Sequence, residues 1–595
     1  MKTLVLAAWM AGVLSGGVTG QVHGRHDANE RMQATGTDHT PATSPSPKAP
    51  RPTGDQWQFT PQALGGHPEF MSAGGIRPVQ DITDGWETSA GCGLESQTFS
   101  RDVDVPADWS GRKVFWWIDD AWPAIDLRVN GELIGTYLHS DRIYGCVDIT
   151  AAIRFGQPNR LDLMILPEEV TSVDTQSGEP QPAGPSVAPH REGLVYYDQR
   201  TEGRVVAPYG KQFLIATQPA HIAWTKIDPD VAARRIVLTG TIKGLAEGQE
   251  AGIIASLHEI GARRGEPRIV TESKPDTAVS TSAEVLGAVD GTRFEMAVPF
   301  PDNAVLWDFE QPFLYMVRVQ LVIDGTLVDR FDDRTGLRTA GIRGDQFTLN
   351  EKLFLPRLVF GNHTAKPSNW DLDRLVPWIE GIRARNYTLY RNHVSPMSRY
   401  WYLIADQVGL PAICQCCMPS PPKDDFDHPH WRNWLADVER MIRQNGNCPS
   451  VFMWSAENEM LSASKYIDAD GTLHEKLGEI LDHFHRLDNR PVTFEGDGHL
   501  RGRCETYNEH YPHRYGDYLW PVDYYYLNVP HIPNNADMRH HYGRINLKSL
   551  GIPIIFGETM WFPTGGPIAD AAFTGDKVYE WFRKYPHHNW KVLDG

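Results

Sequence analysis

Two carboxylates in this 595-residue chain stand where buried strands run out. Val451-Phe452-Met453-Trp454 is apolar at every position and then gives way to Ser455, Glu457, Asn458 and Glu459. About a hundred residues on, Ile552-Pro553-Ile554-Ile555-Phe556-Gly557 ends in Glu558 in the same manner. Short runs without polar alternation mark strands of a parallel sheet covered on both faces. Barrel enzymes carry their chemistry at the C-terminal ends of such strands. Two carboxyl groups about 5–5.5 Å apart, one protonated and one ionised, can cleave a glycosidic bond with retention of configuration. The acid must be kept protonated by burial or a neighbouring negative charge, and the nucleophile needs donors around it. Glu457 competes with Glu459 for the acid's place, since residues two apart on a strand face the same way.

Elements able to present these groups follow Gly341, where apolar strands alternate with amphipathic helices, the pattern of a parallel α/β arrangement. Strands are expected at Leu355–Phe360, Tyr387–Arg391, Pro411–Cys416, Ser450–Ser455, Pro491–Glu495, Thr506–Tyr511 and Ile552–Gly557. Helices between them fall in DLDRLVPWIEGIRARN, SRYWYLIADQVG, HWRNWLADVERMIRQNG and LHEKLGEILDHFHRLD, each with one apolar face, and a last one spans about Asp576 to Tyr585. The stretch Pro512–Leu550 is long for a connection in a compact domain and holds Trp520, Tyr524, Tyr525 and Tyr526, which could wall a sugar site or pack within the loop. Cys414-Gln415-Cys416-Cys417 lies on an expected strand without the two spaced ligand groups of a zinc site, so no metal and no cofactor is expected.

WSAENE, residues 454–459, resembles the W-S-x-x-N-E signature of glycoside hydrolase family 2, and IPIIFGE resembles the strand that carries that family's nucleophile. The resemblance implies a retaining mechanism with Glu459 as general acid/base and Glu558 as nucleophile. It separates Glu459 from Glu457, because Asn immediately precedes the family's acid. It further implies that Asn458 bonds the sugar's 2-hydroxyl. Arg391 and His393, in LYRNHVSP, match the family's R-x-s-H, the arginine holding the nucleophile ionised and the histidine touching substrate. Tyr511, in NEHYP, resembles the tyrosine that bonds the nucleophile, and Trp454 and Trp520 join these as substrate-binding candidates. Cys448 stands where the family often has His in N-H-P-S, with no catalytic consequence expected. Asn546-Leu547-Lys548 has the spelling of the glucuronidases' N-x-K but precedes the nucleophile, so it does not select a uronic acid.

The resemblance extends upstream. Residues 55–220, with VNGELIG and VDIT, resemble the family's jelly-roll sugar-binding domain, expected to buttress the barrel. There the alternation around Asp126–Val129 with an Asn130-Gly131 turn reads directly as a hairpin. Residues 221–340 show about seven short alternating runs, the pattern of an immunoglobulin-like sandwich, closed by LWDFEQPFLYMVRVQL and TGLRTA. Residues 341–595 are expected to be a (β/α)₈ TIM barrel. Seven strands are visible where eight are needed, so the chain is expected to be truncated before the last.

Residues 1–22 read as a signal peptide, with Lys2, an apolar stretch from Leu4 to Leu14 and small residues after Ser15, and residues 23–54 as a disordered linker rich in Pro, Ser and Thr. A secreted or periplasmic protein is expected. Seven cysteines are too few for a disulfide scaffold, though Cys92 and Cys146 could pair. A net charge of −18 argues against nucleic acid or an anionic membrane as partner, while 19 Trp and 21 Tyr suit either sugar stacking or large cores. The expected partner is carbohydrate, and the oligomeric state is not readable. The composite expectation is a retaining β-glycosidase acting on terminal sugars, β-galactosidase-like by default. The alternatives are an endo-acting polysaccharide hydrolase of the same fold, or a non-catalytic carbohydrate-binding protein.

Overall fold

The computed structural model describes residues 76–88, 98–121, 125–137, 143–165, 171–173, 180–182, 211–261, 278–286, 292–361, 372–393, 396–416, 426–427, 429–458, 460, 471–510, 513–515, 518–520, 545–546 and 551–558, with residue 68. The first domain pairs two antiparallel sheets, of four and five strands. Its hairpin runs from Ile125–Val129 into Glu132–Tyr137. Asn130 and Gly131 both turn at positive φ, 52° and 83°, the geometry that matches the twist of the flanking strands. Between the sheets lie Trp109, Trp116, Leu127, Leu161 and Leu214. Among the described residues the second domain has seven strands in antiparallel sheets of three and four. Burial alternates strictly along Arg293–Pro299, as a strand with one wet face requires.

From Leu358 the alternation disappears. Strands β1 (Leu358–Gly361), β2 (Leu389–Asn392), β3 (Ala412–Gln415), β4 (Val451–Asn458) and β5 (Val492–Glu495) pair in parallel and in sequence order. Helices α1 (Leu372–Ala384), α2 (Arg399–Val408), α3 (Pro429–Asn445) and α4 (Thr472–Leu487) connect them. Strands β6 (Tyr507–His510) and β7 (Ile554–Glu558) form a separate parallel pair. All seven expected strands and four of the five helices are present within a few residues of their expected bounds. The helix expected at 576–585 lies outside the described residues. The described strands form an open sheet and a pair rather than a closed ring. Within Pro512–Leu550, three short strands (His513–Tyr515, Tyr518–Trp520 and Ile545–Asn546) make a small antiparallel sheet where the sequence suggested a plain loop. Runs of two or three residues are too short to show a period.

A meander over Ala340–Phe354 packs Phe347 and Phe354 against Phe452 beneath the parallel sheet, the rings of Phe354 and Phe452 lying 5.0 Å apart. The second domain then grips the segment leading into β4. Asn447 donates to Asp333 Oδ2 at 2.8 Å and to the Thr225 carbonyl at 3.0 Å, and its own Oδ1 accepts the Ile227 N–H. Arg338 donates to the carbonyls of Pro449 and Val451. Asp333 also pairs with Arg399 at 2.8 Å, both side chains out of water. Arg399 in turn reaches Cys448 Sγ at 3.0 Å, so Cys448 serves the seam at the N-terminal end of β4. The first domain joins through Asp119, which accepts the Arg399 N–H at 3.0 Å and so sets a carboxylate on the N-terminus of α2.

Removing one partner of a buried ion pair leaves the other charge uncompensated and costs about 3–5 kcal/mol. Asp333→Ala is therefore expected to lower the unfolding free energy of the intact chain, measured by denaturant titration, by an amount in that range. Asp102→Ala, whose ion pair with Arg160 is exposed, is expected to change it by less than about 1 kcal/mol.

Candidate active site

Arg391 is the centre of the polar rim at the C-terminal ends of the parallel strands. It sits on β2, wholly buried, as a side chain on a strand covered on both faces must be. One prong donates to Asn458 Oδ1, another reaches the Gly557 carbonyl at 3.4 Å, and Nε lies 3.2 Å from Glu495 Oε2. Asn458 and Gly557 immediately precede Glu459 and Glu558. A single guanidinium thus ties together the two strand ends that lead into the candidate carboxylates. Glu558 itself closes β7, with its backbone opposite His510. Glu459, Tyr511 and the side chains of Glu558 and Trp520 lie outside the described residues, as do Tyr524, Tyr525 and Tyr526. His393 follows β2 directly and is buried beside Asn392, so the structure brings Arg391, His393 and Asn458 to one rim.

Trp454 is not brought there. It is fully enclosed, its indole N–H donating to Asp488 Oδ1 at 3.1 Å, with the Arg490 guanidinium 5.4 Å from the ring centre. A ring in that position packs β4 against its neighbours and offers no face to a sugar. Burial alone would raise the Asp488 carboxyl; the charges of Arg490 and Lys226 and the Trp454 N–H outweigh it and hold the carboxyl ionised.

Four rim residues had drawn no role from the sequence. Glu495 ends β5, pairs with Arg391 and accepts from Asn508 Nδ2 at 2.7 Å. Asn508 also donates to Thr493 Oγ1, stitching β6 to β5. Gln415, the last residue of β3, donates to the Glu457 carbonyl at 2.7 Å. Asp497, just past β5, is buried and hydrogen-bonds the Glu457 side chain. A carboxylate closing an apolar run was the signal that singled out Glu558, and Val492–Glu495 carries the same one.

Glu457 has its own environment. The pairing of β4 with β5 slips between Ser455 and Asn458, so the strict alternation behind the competition between Glu457 and Glu459 does not hold here. Glu457 is wholly buried, and Oε2 accepts the Met460 N–H at 2.8 Å. Burial, the Asp497 charge and then the Glu495 charge push its carboxyl well above the usual range, while the Met460 N–H opposes them. Two carboxyls joined by a hydrogen bond must hold a proton between them. At the opposite face of the sheet Cys414 accepts from the Tyr402 hydroxyl at 2.9 Å, and burial pushes its thiol up to about 12. Among the described residues no group of three His, Cys, Asp or Glu is arranged to hold a metal ion.

Comparison with known proteins agrees with this architecture. Residues 220–338 match the model of glycosyl hydrolases family 2, and residues 341–518 match the TIM barrel domain of the same family. The chain belongs to glycoside hydrolase family 2. "Beta-galactosidase BgaC" of Bifidobacterium adolescentis is 28% identical over a match covering 33% of this chain and 20% of that protein. A "Beta-galactosidase" of Psychromonas ingrahamii is 26% identical, covering 40% and 21%. The match thus spans about a fifth of the length of these curated relatives. Among solved structures, a β-glucuronidase from Ruminococcus gnavus in complex with D-glucuronic acid superposes with TM-score 0.62 at 15% identity, covering 90% of this chain and 92% of that one. A family 2 member from Bacteroides cellulosilyticus gives 0.54 at 17% identity, covering 70% and 57%. These two likenesses establish the fold: β-rich domains ahead of a family 2 barrel domain.

The Glu457 proton leaves a mark on stability. A carboxyl whose folded value is raised binds a proton that the unfolded chain gives up near pH 4.5. Its stabilising contribution is complete below that pH and fades as pH rises toward the folded value, by up to about 1.4 kcal/mol per pH unit. Urea unfolding from pH 5 to pH 8 should therefore show Glu457→Gln gaining stability relative to the unsubstituted chain.

Proposed function

We propose that this family 2 chain is a retaining β-glycosidase that releases terminal β-linked sugars. Glu459 is the general acid/base and Glu558 the nucleophile. In the first half-reaction Glu558 attacks the anomeric carbon while Glu459 gives its proton to the departing oxygen. In the second, Glu459 takes a proton from water, which displaces Glu558 from the sugar. The observation that carries this reading is the Arg391 guanidinium bonded to the residue before each glutamate. Its positive charge favours an ionised nucleophile. Asn458, turned to the same centre, can offer its amide N–H to the sugar's 2-hydroxyl, and His393 and Tyr511 complete the substrate contacts on this reading. The metal-free chemistry expected from the sequence is kept, as no step requires a Lewis acid.

A β-galactoside is the preferred substrate on this reading, supported by the two curated relatives, both of which are named β-galactosidases. The closed (β/α)₈ barrel, the jelly-roll form of the first domain and the immunoglobulin-like form of the second belong to the same proposal. So does export, supported by the apolar opening stretch after Lys2.

A panel of aryl β-glycosides, including galactoside, glucoside, mannoside and glucuronide, tests it. Turnover of one of them is expected, and kcat should fall by at least about 10³-fold in Glu558→Ala and in Glu459→Gln. In Glu459→Gln the loss should be smaller for leaving groups that depart without a proton. Unchanged turnover in both variants would remove the assignment. Oligosaccharide binding without any turnover would replace it with a binding protein.

A further inference from the structure

The neighbourhood of Glu457 carries an inference that rests on the acid/base reading of Glu459 and extends it. Glu457 is not a second acid facing solvent, for its carboxyl is wholly buried and turned back into the protein. Three of its bonds fix the chain around residue 459. Gln415 Nε2 holds the Glu457 carbonyl at 2.7 Å, and Ser455 Oγ approaches the same oxygen at 3.3 Å. Glu457 Oε2 reaches forward to the Met460 N–H at 2.8 Å. With Arg391 on the Asn458 side chain, the residues on both sides of Glu459 are held, one through a guanidinium and the other through Glu457.

We propose that Glu457 is a positioning residue: its buried side chain accepts the Met460 N–H and its carbonyl is held by Gln415 and Ser455, so that the chain on either side of the general acid is fixed in place. The charged groups facing it decide its protonation: Asp497 and Glu495 at the end of β5 disfavour the ionised form, as does complete burial. Arg391 is paired with Glu495 and so offsets that carboxylate first. An ionised Glu457 would set a negative charge against Asp497 and break the bond between them.

The test compares wild type, Glu457→Ala and Glu457→Gln on the best aryl β-glycoside from the panel. Misplacing a catalytic group without touching the substrate lowers kcat, so Glu457→Ala is expected to lose about 10- to 100-fold in kcat with KM within about threefold. Glutamine keeps an oxygen for the Met460 N–H and gives Asp497 an N–H donor, so Glu457→Gln should recover most of that loss. Infrared spectroscopy at pH 7 should show a protonated-carboxyl band in wild type that is absent from Glu457→Gln. A glutamine variant as inactive as the alanine one would mean that Glu457 itself passes the proton, and would overturn the proposal, as would an alanine variant of normal kcat. Absence of the infrared band would overturn it whether or not the chain turns over. Failure of wild type on every glycoside is a separate result, which removes the glycosidase reading and the positioning role with it.

Discussion

A guanidinium taken wholly out of water has to be met by acceptors, and that requirement at Arg391 organises the rim of the parallel sheet. Desolvating a charge of this size costs several kcal/mol unless partners replace the lost water. The partners come from three other strands: Asn458 from β4, the Gly557 carbonyl from β7 and Glu495 from β5. None lies close to Arg391 in sequence, so satisfying one side chain obliges four strand ends to converge. Glu495, once buried, needs further donors and draws Asn508 across from β6. The convergence of the strand ends that lead into Glu459 and Glu558 is in this sense a by-product of keeping a cation buried.

A second polar knot lies beside the first and follows a different logic. Around Arg391 the charges are opposite and attract. Around Glu457 they are alike, and a shared proton relieves the repulsion. Glu495 and Glu457, on adjacent strands, thus sit in opposite settings, one beside a cation and the other beside carboxyls, the kind of contrast by which one site can hold both an acid and a base.

Much of this was legible in the sequence, for a definite reason. The parallel strands are covered on both faces, so each appears as an unbroken apolar run with a polar residue where it emerges, and all seven were readable. The Asn130-Gly131 hairpin was equally plain because only residues tolerant of positive φ can make that turn. What escaped reading depends on contacts between segments. The slip in register near Glu457 has no local signature, and nothing in the spelling of Gly496-Asp497-Gly498 says that Asp497 meets Glu457. Trp454 shows the converse error: a position inside a recognisable motif invited a ligand-binding role, while its indole is spent on Asp488. The small antiparallel sheet within residues 513–546 was missed because its strands are shorter than any period.

Beside the Asp333 bonds to Arg399 and Asn447, the seam between the second domain and the barrel domain uses side chains that address main-chain oxygen. Trp224 donates to the carbonyl of Arg443, Trp307 to that of Asp406, Arg334 to that of Leu403, and Arg338 to those of Pro449 and Val451. A carbonyl is present whatever residue bears it. Substitutions along that stretch of the barrel domain can accumulate without erasing these particular bonds, provided the backbone keeps its path. These bonds are in that respect insulated from drift on the barrel side and exposed to it on the other, where each arginine or tryptophan is individually needed, whereas Arg399 and Asn447 remain specific side-chain partners from the barrel domain.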